Sequence, residues 1–233
     1  MTAALETVLT TVDWNASISQ FVLDAATVEA FQRGCHLASV WNYELSFQNF
    51  DNPALPFLQE MKASLFYVPA CFGLGLYKPA ASSMRAAVEN ALYFSYFITH
   101  ASELHTLLAD SAYYLSKAKI LEYHNLHTPD FKKKQRPLGF TSELEAWYSE
   151  ISAIVHGQIP GTWSSTALAN TSFEPTLSRA ALREFNRAVQ LINYLFLLTT
   201  DKDTWEGFSS PARQLFLKGM SGVRKRVLDR AVV

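Results

Sequence analysis

The sequence predicts an all-α protein, a single helical domain built as a bundle of about six to eight helices. Three observations carry this. Apolar residues recur at helical spacing through most of the chain, while alternating strands bounded by turns are hard to find. Of 233 residues 49% are apolar, enough for one large core. Only 9 Gly and 9 Pro are present, too few for a loop-dominated or collagen-like chain.

Taken in order, residues 17–48 read as one or two amphipathic helices, with Gly34 a candidate interruption. Asn52-Pro53 starts a segment running to about Tyr77, which Pro69 is expected to kink or split. Lys78-Pro79 opens a helix that extends to about Leu108. It is apolar on most of its circumference, so it belongs at the centre of the bundle. Residues 109–120 continue as helix and lead into a polar, basic loop at about 124–140. Thr141 or Ser142 then caps a helix, with Glu145 completing a capping box, and that helix closes at His156-Gly157. The stretch 158–175 reads as loop, 176–200 as a long apolar helix, and 209–230 as a final basic helix.

Charge and cysteine content narrow the class of protein. The net charge is −1, yet residues 1–116 carry 4 basic and 10 acidic residues and residues 117–233 carry 16 and 11. Two basic clusters account for much of this. Lys132, Lys133, Lys134 and Arg136 form one, and a run from Arg213 to Arg230, including Arg224, Lys225 and Arg226 and opposed only by Asp229, forms the other. If both face one surface they can neutralise several phosphates of an RNA; as separate patches they serve solubility. Two cysteines, Cys35 and Cys71, cannot form a disulfide framework, and both read as buried free thiols of a reducing cytosol. The N-terminus has no signal-peptide pattern. The uncharged stretch between Lys62 and Lys78 is 15 residues long, short of the roughly 20 of a membrane span, so it reads as core. The expected location is cytoplasmic, with no membrane partner.

Two polar stripes interrupt the apolar helices. Arg85, Glu89, Tyr93, Tyr96 and His100 are spaced by 4, 4, 3 and 4, which puts them on one side of the central helix. Tyr148, Ser152 and His156 repeat every four residues on the helix that ends at Gly157. If the stripes face each other, Arg85, Glu89, Tyr148, Ser152 and His156 form one hydrogen-bonded network, either a register-fixing structural device or a site.

Other chemistry is sparse. There is no Walker A or GxGxxG loop and no nucleophile elbow for Ser–His–Asp catalysis. His124 and His127, with Asp130 nearby, are spaced loosely for a metal, and Glu143, Glu145 and Glu150 suggest a solvated helix face. No metal or cofactor is expected.

The stretch Gly73-Leu-Gly-Leu-Tyr-Lys-Pro-Ala80, followed by Ser83-Met-Arg-Ala-Ala-Val-Glu-Asn90, resembles the G-x-Y-x-x-A-x-x-x-x-R-x-x-x-E stretch of helical proteins related to the HEPN superfamily. Tyr148-Ser-Glu-Ile-Ser-Ala-Ile-Val-His-Gly157 resembles their Ser-x-x-x-His-Gly close. The match covers about 73–157, within a HEPN-like core of about 53–200. The resemblance implies a helical bundle, frequently a dimer, of the kind found in toxin–antitoxin and antiviral defence systems as ribonuclease or as RNA-binding or scaffold module. The active family motif is Arg, four to six residues, then His. Here the three positions that would hold the arginine before His156 are Ile151, Glu150 and Ser149. The implied function is therefore a non-catalytic component that binds RNA or a protein partner. One alternative is a metal-independent endoribonuclease using His156, with Arg85 supplied from the neighbouring helix. A second alternative is a helical small-molecule-binding or scaffold protein with no nucleic-acid role.

Overall fold

The structure, a computed structural model, describes residues 2–158, 160–163 and 170–228, and all regular structure among them is helical. In chain order the segments are α1 Thr2–Thr11, α2 Trp14–Leu23, α3 Ala25–Gln48, α4 Leu55–Gly73, α5 Tyr77–Phe97, α6 Ala101–Ala109 and α7 Lys117–His127. They continue with α8 Phe131–Leu138, α9 Phe140–Val155, α10 Pro175–Thr199, α11 Lys202–Gly207, α12 Ser210–Phe216 and α13 Gly222–Leu228. Among the described residues thirteen segments replace the expected six to eight, because caps and turns divide several spans that periodicity alone reads as continuous.

The expected central helix is central. α5 packs against α4, α10, α9 and α7, and α10 in turn covers α3, α9 and α8. One side of α5 (Ala80, Ala81, Met84, Ala87, Ala91) is buried to zero exposure. Small residues there let neighbouring helices approach closely. α5 stops at Phe97, however, well short of Leu108. His100 takes φ −122°, ψ 56°, its Nδ1 lies 2.8 Å from the Tyr96 carbonyl oxygen, and α6 starts afresh behind it.

Other boundaries move for equally local reasons. The break in 17–48 falls at Asp24, whose carboxylate caps α3 by accepting from the Thr27 amide at 3.2 Å and hydroxyl at 2.7 Å. Gly34 lies inside α3, where a Cβ would stand 2.5 Å from the buried Phe185 ring; glycine is there for close packing. The basic stretch expected as loop is the end of α7 followed by α8. α9 starts at Phe140 behind left-handed Gly139 (φ 67°), so Ser142 bonds back to the Gly139 carbonyl at 3.0 Å and forms no capping box. The close at His156-Gly157 does follow the expected left-handed glycine cap, with φ 64° at Gly157 and the Gln158 amide 3.0 Å from the Ala153 carbonyl. The basic helix expected over 209–230 is split into α12 and α13 at Gly219 (φ 78°); Asp229 and Arg230 lie outside the described residues.

Pro69 neither kinks α4 enough to end it nor splits it. Proline has no N–H for the carbonyl four residues earlier, that of Leu65. The Cys35 thiol, buried in α3, fills the place at 3.7 Å from that oxygen. Burial pushes the Cys35 pKa up to about 11, so the sulfur keeps the proton it donates.

Further along α3, Trp41 is fully buried and stacks on Phe216 of α12 with centroids 3.6 Å apart. Its indole N–H donates to Asn193 Oδ1 at 2.8 Å, and Asn193 donates onward to the Phe216 carbonyl at 3.0 Å. This joins α3, α10 and α12. Among the described residues no helix is long and apolar enough to cross a membrane.

Candidate functional site

α5 and α9 pack side by side, and the four-residue spacing on each brings part of the two polar stripes together. Tyr148 is the hub. Its hydroxyl accepts from Arg85 Nη2 at 2.8 Å and Nε at 3.3 Å, and donates to Glu89 Oε1 at 2.5 Å. Arg85 Nη2 also lies 3.1 Å from Glu89 Oε1. Arg85 Nη1 reaches His156 Nε2 at 2.9 Å. A guanidinium has no lone pair to offer, so His156 Nε2 accepts and the imidazole proton sits on Nδ1.

The electrostatics follow from this arrangement. Burial, then the Glu89 hydrogen bond, push the Tyr148 pKa up to about 12, against the pull of Arg85. For Arg85 itself, burial acts downward, but the Tyr148 bond and the Glu89 charge outweigh it and the net shift is upward. Lys117, at the start of α7, holds its ammonium 4.6 Å from the centre of the Tyr148 ring. Burial lowers the Lys117 pKa and Glu145 opposes that. Lys78 Nζ lies 3.2 Å from where a side chain at Gly157 would begin, which puts a further cation at the His156 end. His156 is exposed. Arg85 and Lys117 thus flank the Tyr148 ring beside an accessible imidazole, with Glu89 and Glu145 as their counter-charges.

Three sequence expectations change. Ser152 Oγ is buried and makes no hydrogen bond among the described residues, so it stands outside the network. Tyr96 and His100 belong to a different cluster at the far end of α5. There their rings stack 4.0 Å apart, and Glu103 accepts from Tyr96 at 2.8 Å and Tyr113 at 2.9 Å. Glu143 and Glu150 are not a merely solvated face: with Glu184 they hold Arg187 of α10 at 2.7, 2.5 and 2.6 Å.

The network lies at the rim, with side-chain exposures of 22% for Arg85 and 36% for Glu89. Solvent can therefore rescue Glu89 when its partner is removed. Arg85→Ala is expected to destabilise by about 1–2 kcal/mol, short of the roughly 3–5 kcal/mol typical of a deeply buried pair. Urea denaturation checks this, and an unchanged midpoint would remove the network from the stability account.

α8 packs against α13, so the helices that carry the two basic clusters, Lys132, Lys133, Lys134 and Arg136 on one and Arg224, Lys225 and Arg226 on the other, are neighbours. Lys132, Lys133, Arg136, Arg224 and Arg226 are exposed, and Lys134 lies 3.9 Å from Asp130. Arg224 is steadied by a 3.1 Å hydrogen bond to the Tyr194 hydroxyl. A groove of about 490 Å³ between α7 and α8 is lined by Lys132, Arg136, Glu122 and Glu145. Its lining also includes Ala118, the sequence neighbour of Lys117.

His124 and His127 do not form a ligand pair. His124 is buried, with Nε2 2.9 Å from Ser95 Oγ and Nδ1 2.8 Å from Thr128 Oγ1, while His127 is exposed. Among the described residues no group of three His, Cys, Asp or Glu side chains is placed to hold a metal. Sequence reasoning passed over Lys78 and Lys117, which carry no motif and enter only through helix packing. Comparison with protein-family models, curated proteins and solved structures returns no match.

Proposed function

We propose that the chain is a HEPN-like module that binds RNA without cleaving it, as a component of a prokaryotic defence or toxin–antitoxin type system. The observation that supports the RNA reading is the packing of α8 on α13, which sets the helices carrying the two basic clusters side by side. Clustered cations on one surface bind nucleic acid by releasing condensed counterions, whatever the sequence. The defence setting rests on the resemblance of residues 73–157 to that superfamily. A protein partner or a second copy of the chain is the alternative partner of these helices.

A second reading, a metal-independent endoribonuclease, is favoured by one specific distance: Arg85 Nη1 to His156 Nε2, 2.9 Å. The family motif places its arginine four to six residues ahead of the histidine in sequence; here the neighbouring helix supplies one. In that reading Arg85 turns from His156 to the phosphate and frees the Nε2 lone pair, which takes the proton of a ribose 2′-hydroxyl; the 2′ oxygen attacks the adjacent phosphorus, the P–O5′ bond breaks with water protonating the departing 5′ oxygen, and Arg85 balances the charge that develops on the phosphate.

One set of measurements decides between them. Single-stranded RNA is titrated at two salt concentrations with wild type and with Lys132, Lys133, Lys134 and Arg136 all changed to Gln. Loss of four phosphate contacts is expected to flatten the slope of log affinity against log salt by about 3. An unchanged slope would take α8 out of the interface. Incubation of the same RNA in EDTA, with His156→Ala as control, is expected to leave it intact; cleavage abolished by His156→Ala would establish the second reading.

A further inference from the structure

A cavity of about 240 Å³ lies far from the Tyr148 cluster, between the ends of α3, α5, α7 and α10. All four helices point their C-termini at it: the residues that follow them, Asn49, Ile98, Thr128 and Thr200, each line it. Each helix C-terminus carries about half a negative charge, so four converging ends favour a cation. The single N-terminus in the lining, that of α11, is already capped by a carboxylate. Asp201 accepts from the Thr204 amide at 2.8 Å and hydroxyl at 2.9 Å.

The side chains repeat this polarity. A hydroxyl has one proton to give. Ser95 donates its proton to the Leu92 carbonyl at 2.8 Å, Thr199 to the Leu195 carbonyl at 2.9 Å, and Thr204 to Asp201. What these groups turn towards a guest is lone pairs. With the Ser95 proton committed, His124 donates from Nε2 to Ser95 and accepts at Nδ1 from Thr128. Burial holds the His124 pKa down to about 4, so it adds no positive charge. Among the described residues no lysine or arginine lines the cavity, and Asp201 is part of its lining. The walls include the rings of Phe94, Phe196 and Tyr123.

We propose that this cavity binds a small organic ammonium ion, a short protonated amine or diamine, with its charged end among the oxygen acceptors and its carbon skeleton against the aromatic walls. Acceptors and helix C-termini select a donor-rich cation. The aromatic faces favour an organic cation over a bare metal ion, through cation–π attraction and burial of the alkyl chain. This inference is independent of the RNA reading.

The test is calorimetric titration of the full chain with 1,4-diaminobutane in a potassium chloride background, against 1,4-butanediol as the uncharged isostere. Saturable one-site binding of the diamine and none of the diol is expected. Asp201→Asn keeps the α11 cap but removes the charge, and Thr199→Val removes one acceptor. Each is expected to weaken binding about tenfold, the order of one charge-assisted contact. No saturable heat with the diamine, equal binding of the diol, or wild-type affinity in both variants would overturn the proposal. The diol comparison needs only wild type, so it decides even if a variant fails to fold.

Discussion

Trp41→Ala is expected to lower the unfolding free energy by about 3–5 kcal/mol, the range for deleting a buried large aromatic. The indole is fully buried and stacked at 3.6 Å on Phe216, with Phe196 and Phe208 also against it. Its removal opens a cavity where α3, α10 and α12 meet and strips Asn193 Oδ1 of its donor. Trp41→Phe separates the two contributions: it fills most of the space but leaves Asn193 Oδ1 without its donor, for a loss of about 1–3 kcal/mol. Urea denaturation with unchanged m values measures both. A loss under 1 kcal/mol for Trp41→Ala would mean that this junction is not part of the cooperative core.

Acid is expected to cost about 3 kcal/mol of stability between about pH 6.5 and pH 4, through His124. Burial first, then the His100 charge, lower its pKa from 6.5 to about 4 in the folded state. In that window the unfolded chain binds the proton and the folded chain does not. Stability is therefore complete above the unfolded value and falls as pH drops towards the folded one. Carboxylates whose folded pKa is lowered, such as Glu103 through its Tyr96 hydrogen bond and Glu174 through the Leu177 amide, act in the same direction but at lower pH. Urea midpoints at about pH 7 and pH 4.5 should differ strongly for wild type and much less for His124→Gln. Equal differences in the two proteins would assign the acid sensitivity elsewhere.

The helical class and the central place of α5 were legible because both follow from spacing and an apolar circumference, properties of single segments. The meeting of Arg85, Glu89, Tyr148 and His156 was legible for a related reason: two polar stripes on apolar helices need partners, and each is the other's nearest supply. Ser152 failed because a serine can be buried at the cost of one small hydroxyl, so its position in a stripe constrains little. The breaks at Asp24 and His100 escaped because a local hydrogen bond competes with helix propagation without disturbing apolar periodicity. α8 was hidden by its composition: Phe131 and Leu138 are its buried anchors, and four cations between them read as loop. The cavity at the four helix ends had no sequence signal at all. Ser95, Thr128 and Thr199 lie far apart in the chain, and only packing brings them to one cavity.

The meeting of Cys35 with the carbonyl that Pro69 leaves open ties the histories of two distant positions together. A chain carrying proline at 69 cannot exchange the thiol for a methyl without stranding an oxygen in the core. A chain that first regains an N–H at 69 can make that exchange freely. The effect of a change at either position then depends on which came first, and a residue that looks like inert filling restrains drift in another helix.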